Sequence, residues 1–268
     1  MMTCAHPLCS SIVRKGIVGI TGGLLILFVL GHMVGNLLIF LPPEAINEYA
    51  EFLHEAGHGG LIWVARAGLI TLFVVHLGVT ISLKIENKKA RPIGYASHDP
   101  QVSGWASRHM LLTGLVVLLF VVYHILHFTL GMTDDSAKWR NLVEAPNRPH
   151  YVDVHSMVVY GFRDPIIATF YIVCQVVLGL HLWHGGSSIF QSLGINRGPW
   201  RSFTSKVGPV LAMVVVAGNC SIPLAIQAGA VKSRIDIRSA KAALEAQKAP
   251  PPMPTREESD INKAAPGR

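Results

Sequence analysis

Five separate stretches, at about residues 16–41, 60–84, 109–131, 164–190 and 205–229, are each long and apolar enough to cross a ~30 Å hydrocarbon core as a helix. That feature excludes most soluble architectures. Inside a bilayer the backbone must satisfy its own N–H and C=O groups, which leaves helices or a closed barrel. No period-2 alternation competes with the apolar runs, so the expected fold is an all-α membrane protein with five transmembrane helices. Composition agrees: 50% of the 268 residues are hydrophobic and 15% charged, and the mean hydropathy is +0.41, outside the range of an ordinary soluble domain. The first run is too long for the core of a secretory signal, contains His32 and Asn36, and precedes no small-residue cleavage site, so it is expected to remain as a span.

The net charge of +7 would point to nucleic acid in a soluble protein. Here the basic residues gather in alternate loops, the pattern that orients a membrane protein, and no nucleic-acid partner is expected. Arg14 and Lys15 precede the first span; Lys84, Lys88, Lys89, Arg91 and Arg108 fill the second loop; Arg197, Arg201 and Lys206 fill the fourth. Those loops are assigned to the cytoplasm. The first loop, "PPEAINEYAEFLHEAGHGG", has no Lys or Arg, and the third, from Met132 to Arg163, mixes both signs, so both are assigned outside, together with the C-terminus. The chain divides accordingly into a cytoplasmic segment (1–15), a five-helix domain (16–230) and a polar, Pro-rich tail (231–268), read as a short helical extension and a flexible end. The four cysteines form no CxxC pair; Cys4 and Cys9 fall on the reducing side and Cys174 and Cys220 within spans, so no structural disulfide is expected.

Among thirteen histidines, His6, His54, His58, His98, His150 and His155 fall in loops, where solvation accounts for them. His109 opens the third span beside Arg108 and reads as interfacial. His32, His76, His124, His127, His181 and His184 lie within spans, one or two on each of the first four. An unpartnered polar group in hydrocarbon costs several kcal/mol, so such residues face the bundle interior and mark a function.

Depth organises them. His32, His76, His124 and His181 stand about 16, 16, 15 and 17 residues into their spans, or ~24 Å along each helix at ~1.5 Å per residue. Because successive spans run in opposite directions, His32 and His124 share an outer tier and His76 and His181 an inner one, separated by ~15 Å. Two tiers of two imidazoles from different helices suit two low-spin b-type haems, each with one histidine on either face of the iron. Gly31, Gly35, Gly78, Gly114 and Gly179 lie near these positions, where they would admit a flat macrocycle or serve plain helix packing. His127 remains a rival to His124, and His184 to His181.

The motifs "GHMVGN", "VVHLGV", "FVVYHILHF" and "YIVCQVVLGLHLWHGGSSIFQSLG", in that order on the first four spans, resemble the single-chain, five-helix, dihaem cytochrome b anchor of succinate dehydrogenases and fumarate reductases. The resemblance covers about residues 10–230. It implies His32 and His124 as ligands of the distal haem, His76 and His181 as ligands of the proximal haem, and two haem b groups in all. It implies a bacterial inner-membrane location, a flavoprotein subunit and an iron–sulfur subunit as partners beside membrane lipid, and a quinone, menaquinone by family association, as the electron-exchanging substrate. The opening "SSIVRK" resembles the polar start of the anchor's first helix, which makes Ser11, Arg14 and Lys15 candidates for a quinone or a haem propionate. Arg108 and the loop basics are further propionate candidates. Some relatives carry an acidic residue before the fourth-span ligand, linked to proton movement; Gly179 stands there in this chain, and no Asp or Glu lies inside a span, so no carboxylate proton wire is expected. The sequence holds no dinucleotide fingerprint and no cysteine cluster, so flavin and iron–sulfur chemistry would belong to the partners. Two alternatives stand beside this reading: the cytochrome b of a hydrogenase or formate dehydrogenase, and a haem-free membrane anchor or transporter that uses its histidines as hydrogen-bond glue.

Overall fold

The computed structural model describes residues 10–90, 104–133 and 152–234, with 236 and 239. Cys4, Cys9, Arg91, most of the third loop and nearly all of the tail lie outside the described residues. The chain divides into two compact units, Met1–Ser233 and Arg234–Arg268. The described residues of the first form helices and no strand. In chain order these are α1 (Ser11–Leu37, continued by a 3₁₀ turn at Leu38–Phe40), α2 (Pro43–Glu55), α3 (Leu61–Ala90), α4 (Trp105–Arg108), α5 (Met110–His124, continued by a π-helical turn at Ile125–Leu130), α6 (Val154–Gly161), α7 (Pro165–Ser192) and α8 (Trp200–Gln227). Five of these segments are long and apolar enough to cross a membrane: Ser11–Phe40, Gly60–Ala90, Met110–Leu130, Pro165–Ser192 and Trp200–Gln227. The protein is a multi-pass, all-α membrane protein. Helix α1 begins at Ser11, so Ser11, Arg14 and Lys15 belong to its first turns rather than to a preceding segment.

The most extensively packed helix pair is α7 with α8. Small residues make that approach possible: a Cβ on Gly186 would stand 3.0 Å from the Gly208 Cα, and one on Gly208 would lie 2.7 Å from Ser187 Oγ and collide with the Trp183 carbonyl. The same seam solves a backbone problem. Pro209 lies inside α8 and has no N–H for the Ser205 carbonyl one turn back. Ser187 Oγ of α7 donates to that carbonyl at 3.1 Å and accepts the Gly208 N–H at 3.1 Å. The neighbouring helix thereby satisfies a carbonyl that α8 itself cannot. Gly208→Ala is expected to destabilise the protein by about 1–3 kcal/mol through overpacking, seen as a lower midpoint in thermal unfolding of the detergent-solubilised protein.

Around this pair, α1 packs on α3, α7 and α8, and α5 packs on α7. Leu182, Ala212 and Val215 form a small buried cluster against Ile26, Val29 and Leu30 of α1. A larger core, including Ile39, Ile46, Phe120, Val159, Phe162, Tyr171 and Ile222, gathers where α1 ends and α7 begins. Helix α3 differs from the other four long helices, since none of its residues is buried and its long neighbour is α1.

The first loop contains a helix, α2, started by Pro43, and α2 packs on α6. Their junction is a buried polar knot. Asn47 Nδ2 donates to Asp153 Oδ1 at 3.1 Å, the His155 N–H donates to Asn47 Oδ1 at 2.9 Å, and Asp153 caps α6 by accepting the Ser156 N–H at 3.0 Å. His155, expected to be solvated, is only 2% exposed; it lies in the first turn of α6, where that helix packs on α2, and not in a loop. At the far end of the core, Gln227 Nε2 donates to the Phe162 and Arg163 carbonyls at 2.6 and 3.1 Å, tying the end of α8 to the turn between α6 and α7.

Candidate functional site

Four histidines on four of the long helices fall into two pairs, one of them in ring contact. His32 of α1 and His124 of α5 face each other with ring centroids 5.8 Å apart and planes at 89°. Helices α1 and α5 are not packed along their length, so the two rings reach across a gap between walls. Phe28, one turn before His32, stacks on it at 5.4 Å, and Phe120 and Phe128 flank His124 at 5.9 and 5.8 Å. His124 Nδ1 is buried and has no hydrogen-bond partner among the described residues, a state that native structures rarely tolerate without a reason.

The other pair is His76 of α3 and His181 of α7, which lie within electrostatic reach of one another. Each is held by a threonine of the neighbouring helix. Thr21 Oγ1 of α1 is 3.1 Å from His76 Nδ1, and Thr113 Oγ1 of α5 is 3.2 Å from His181 Nδ1. The glycine after each threonine makes room for the ring: a Cβ on Gly22 would stand 3.1 Å from His76 Cε1, and one on Gly114 would stand 3.4 Å from His181 Cε1. Of the glycines singled out from the sequence, Gly114 borders a ligand candidate. Gly35 instead admits the Tyr49 ring, Gly179 packs against Val216 of α8, and Gly31 and Gly78 have no side-chain neighbour close enough to need them.

The rival histidines have other surroundings. His127 is fully buried in the π-helical turn; its Nδ1 is 2.9 Å from the Tyr171 hydroxyl, it stacks on Phe128 at 4.0 Å, and its Nε2 side abuts Gly161 of α6. That ring belongs to the aromatic core. His184 is half-buried, one turn beyond His181 on α7.

Arg14 is paired with Glu86 near the end of α3, with 17% of its side chain exposed, while Ser11 and Lys15 are exposed. The start of α1 is thus clamped to the end of α3, and Arg14 lies on the same face of α1 as Thr21 and His32, because steps of seven and eleven residues return to one face of a helix. The apolar-run pattern picks out the histidines but not Thr21 and Thr113. A signal for them is present all the same: Thr-Gly occurs eleven residues before His32 on α1 and again eleven residues before His124 on α5.

Each histidine pair offers two imidazole nitrogens to a shared group, and no set of three or more His, Cys, Asp or Glu that could hold an ion occurs among the described residues. A metal held by such a pair must bring its remaining ligands with it. A porphyrin iron, which would need only two ligands from the protein, fits that donor set; a zinc ion, which takes three or four protein ligands, does not. The 5.8 Å separation of the His32 and His124 rings is close to the ~6 Å set by two metal–nitrogen bonds of ~2 Å and the half-widths of two imidazoles. Compared with known proteins, the chain matches no family model, no curated protein and no solved structure.

Proposed function

We propose that this chain is the dihaem cytochrome b anchor of a succinate:quinone oxidoreductase, carrying electrons between an iron–sulfur subunit and a membrane quinone. The observation that carries the reading is the ring contact of His32 with His124 across two helices, repeated in kind by His76 and His181, each seated on a Thr-Gly step of a neighbouring helix. His32 and His124 would hold one haem b, and His76 and His181 the other. Bound haem supplies one-electron exchange without proton chemistry of its own. The chain contributes neutral imidazole ligands, an apolar surround that excludes water, and a fixed spacing: Thr21 and Thr113, which mark the level of one pair, stand eleven residues from the ligands of the other, or ~16 Å along the helix.

In this reading the protein lies in a bacterial inner membrane with its N-terminus cytoplasmic. Arg14, Lys84, Lys88 and Lys89, Arg108, and Arg197, Arg201 and Lys206 then share the face that receives the flavoprotein and iron–sulfur subunits. The Arg14–Glu86 pair supports that grouping by joining the start of α1 to the end of α3. Arg14 is the best placed of the three N-terminal candidates for a propionate or quinone oxygen, being the one drawn into the protein. Menaquinone is the proposed quinone.

The purified membrane protein is expected to show a b-type α-band in a reduced-minus-oxidised spectrum and two extractable haems per chain. A preparation with intact fold and no such band would instead support the haem-free anchor. Gentle solubilisation is expected to recover the two soluble subunits with the chain.

A further inference from the structure

The His76–His181 pair carries a feature that the ligand count alone does not explain. A threonine hydroxyl has one hydrogen and two lone pairs. Thr21 Oγ1 donates its hydrogen to the Ile17 carbonyl one turn back, at 2.8 Å, the usual bond of a threonine inside a helix. What it can offer His76 Nδ1, 3.1 Å away, is therefore a lone pair. Thr113 repeats the arrangement: its hydrogen is directed to the His109 and Met110 carbonyls at 3.2 and 3.1 Å, leaving a lone pair for His181 Nδ1 at 3.2 Å. An imidazole that donates from Nδ1 carries its own lone pair on Nε2, the tautomer that ligates a metal.

We infer that Thr21 and Thr113 are paired positioning residues, each fixing the Nδ1–H tautomer and ring orientation of one ligand of the same haem, His76 and His181, while Gly22 and Gly114 make room for the rings. The two halves of the bundle repeat the device. On α1, Thr21 and Gly22 serve the ring of α3 and His32 follows eleven residues on; on α5, Thr113 and Gly114 serve the ring of α7 and His124 follows at the same interval. Eleven residues are three helical turns within about 20°, so each helix presents a clamp for one haem and a ligand for the other on one face. The inference rests on the haem reading and deepens it.

An outer partner that accepts from Nδ1–H makes the imidazole a stronger donor to the metal and favours the oxidised iron. Removing it should raise the midpoint potential of that haem alone. The test is an optical redox titration, with low-temperature electron paramagnetic resonance of the oxidised form, on the intact complex carrying Thr21→Val, Thr113→Val, Thr21→Ser or Thr113→Ser. Each valine variant is expected to shift the redox equilibrium of the His76–His181 haem about tenfold, or ~59 mV for one electron, and to alter its resonance signal. The other haem should be unmoved, and both serine variants should match the wild type because they keep the acceptor. If a valine variant does not assemble, alanine at the same position removes the acceptor without the branched bulk and is read by the same criteria. Unchanged potentials in the valine or alanine variants, equal shifts of both haems, or serine variants that move as valine does would overturn the assignment. Wild-type protein without haem would instead sink the underlying reading, so the two failures are distinguishable.

Discussion

His76→Ala and His181→Ala are each expected to remove one haem and leave the second, so that the b-band amplitude falls by about half while the chain still assembles. The expectation follows from where the two rings sit. Helix α3 has no buried residue and leans on α1 as its long neighbour, so His76 is not a packing element of a tight core, and its loss leaves the α1, α7 and α8 contacts in place. His181 is likewise outside both buried apolar clusters. Losing a metal ligand costs more than losing its outer partner, which alone typically weakens metal affinity 10–100-fold, so each variant should drop below stoichiometric occupancy of one site. Quantitative haem extraction beside potentiometry checks the result. Retention of two haems in either variant would falsify the pairing, and loss of both haems from a stably folded chain would show that the sites are not separate. The same measurement on His32→Ala should give the complementary spectrum, with the His76–His181 haem retained.

The parts of this architecture legible in the sequence are those governed by the bilayer. Spans are readable because hydrocarbon requires ~20 apolar residues in a row, and the five expected segments match the five observed, with ends shifted by a few residues where helices run on into polar turns, as α3 does to Ala90. A residue's distance along its span is readable as well, because a helix has a fixed rise per residue. Outside the hydrocarbon those rules lapse. Helices α2 and α6 are short, and their junction depends on Asn47, Asp153 and His155 finding one another across more than a hundred residues, which no local pattern announces. Thr21 and Thr113 escape a sequence reading for a related reason: a threonine inside an apolar run normally satisfies itself on its own helix, and only the neighbouring helix reveals what its second lone pair does. Gly35 and Gly179 show the converse. Proximity in sequence to a ligand candidate does not place them beside it, because the face of the helix, not the distance along it, decides what a glycine meets.

The choice between His124 and His127 yields the second large contrast. His124→Leu is expected to abolish the His32-side haem, whereas His127→Leu is expected to keep both haems and lower the stability of the protein by about 1–3 kcal/mol, the usual cost of taking one partner from a buried hydrogen-bonding group. The two residues are a turn apart in sequence and yet occupy different chemical settings. His124 ends the regular α-helical part of α5, with His32 across the gap. His127 lies in the wider π-helical turn that follows, ended by Gly131 in the left-handed region at φ 63°, where it is bonded to Tyr171 and wedged between Phe128 and Gly161. To reach an iron opposite His32 it would have to leave that aromatic cluster and break the Tyr171 bond, whereas His124 already stands across the gap from the His32 ring. Haem content and thermal midpoint, measured on both variants in the same detergent, separate the roles: a ligand lowers the first, and a packing residue lowers the second. The reverse pattern, with His127→Leu losing a haem and His124→Leu keeping two, would transfer the ligand role to the π-turn and require α5 to rotate relative to α1.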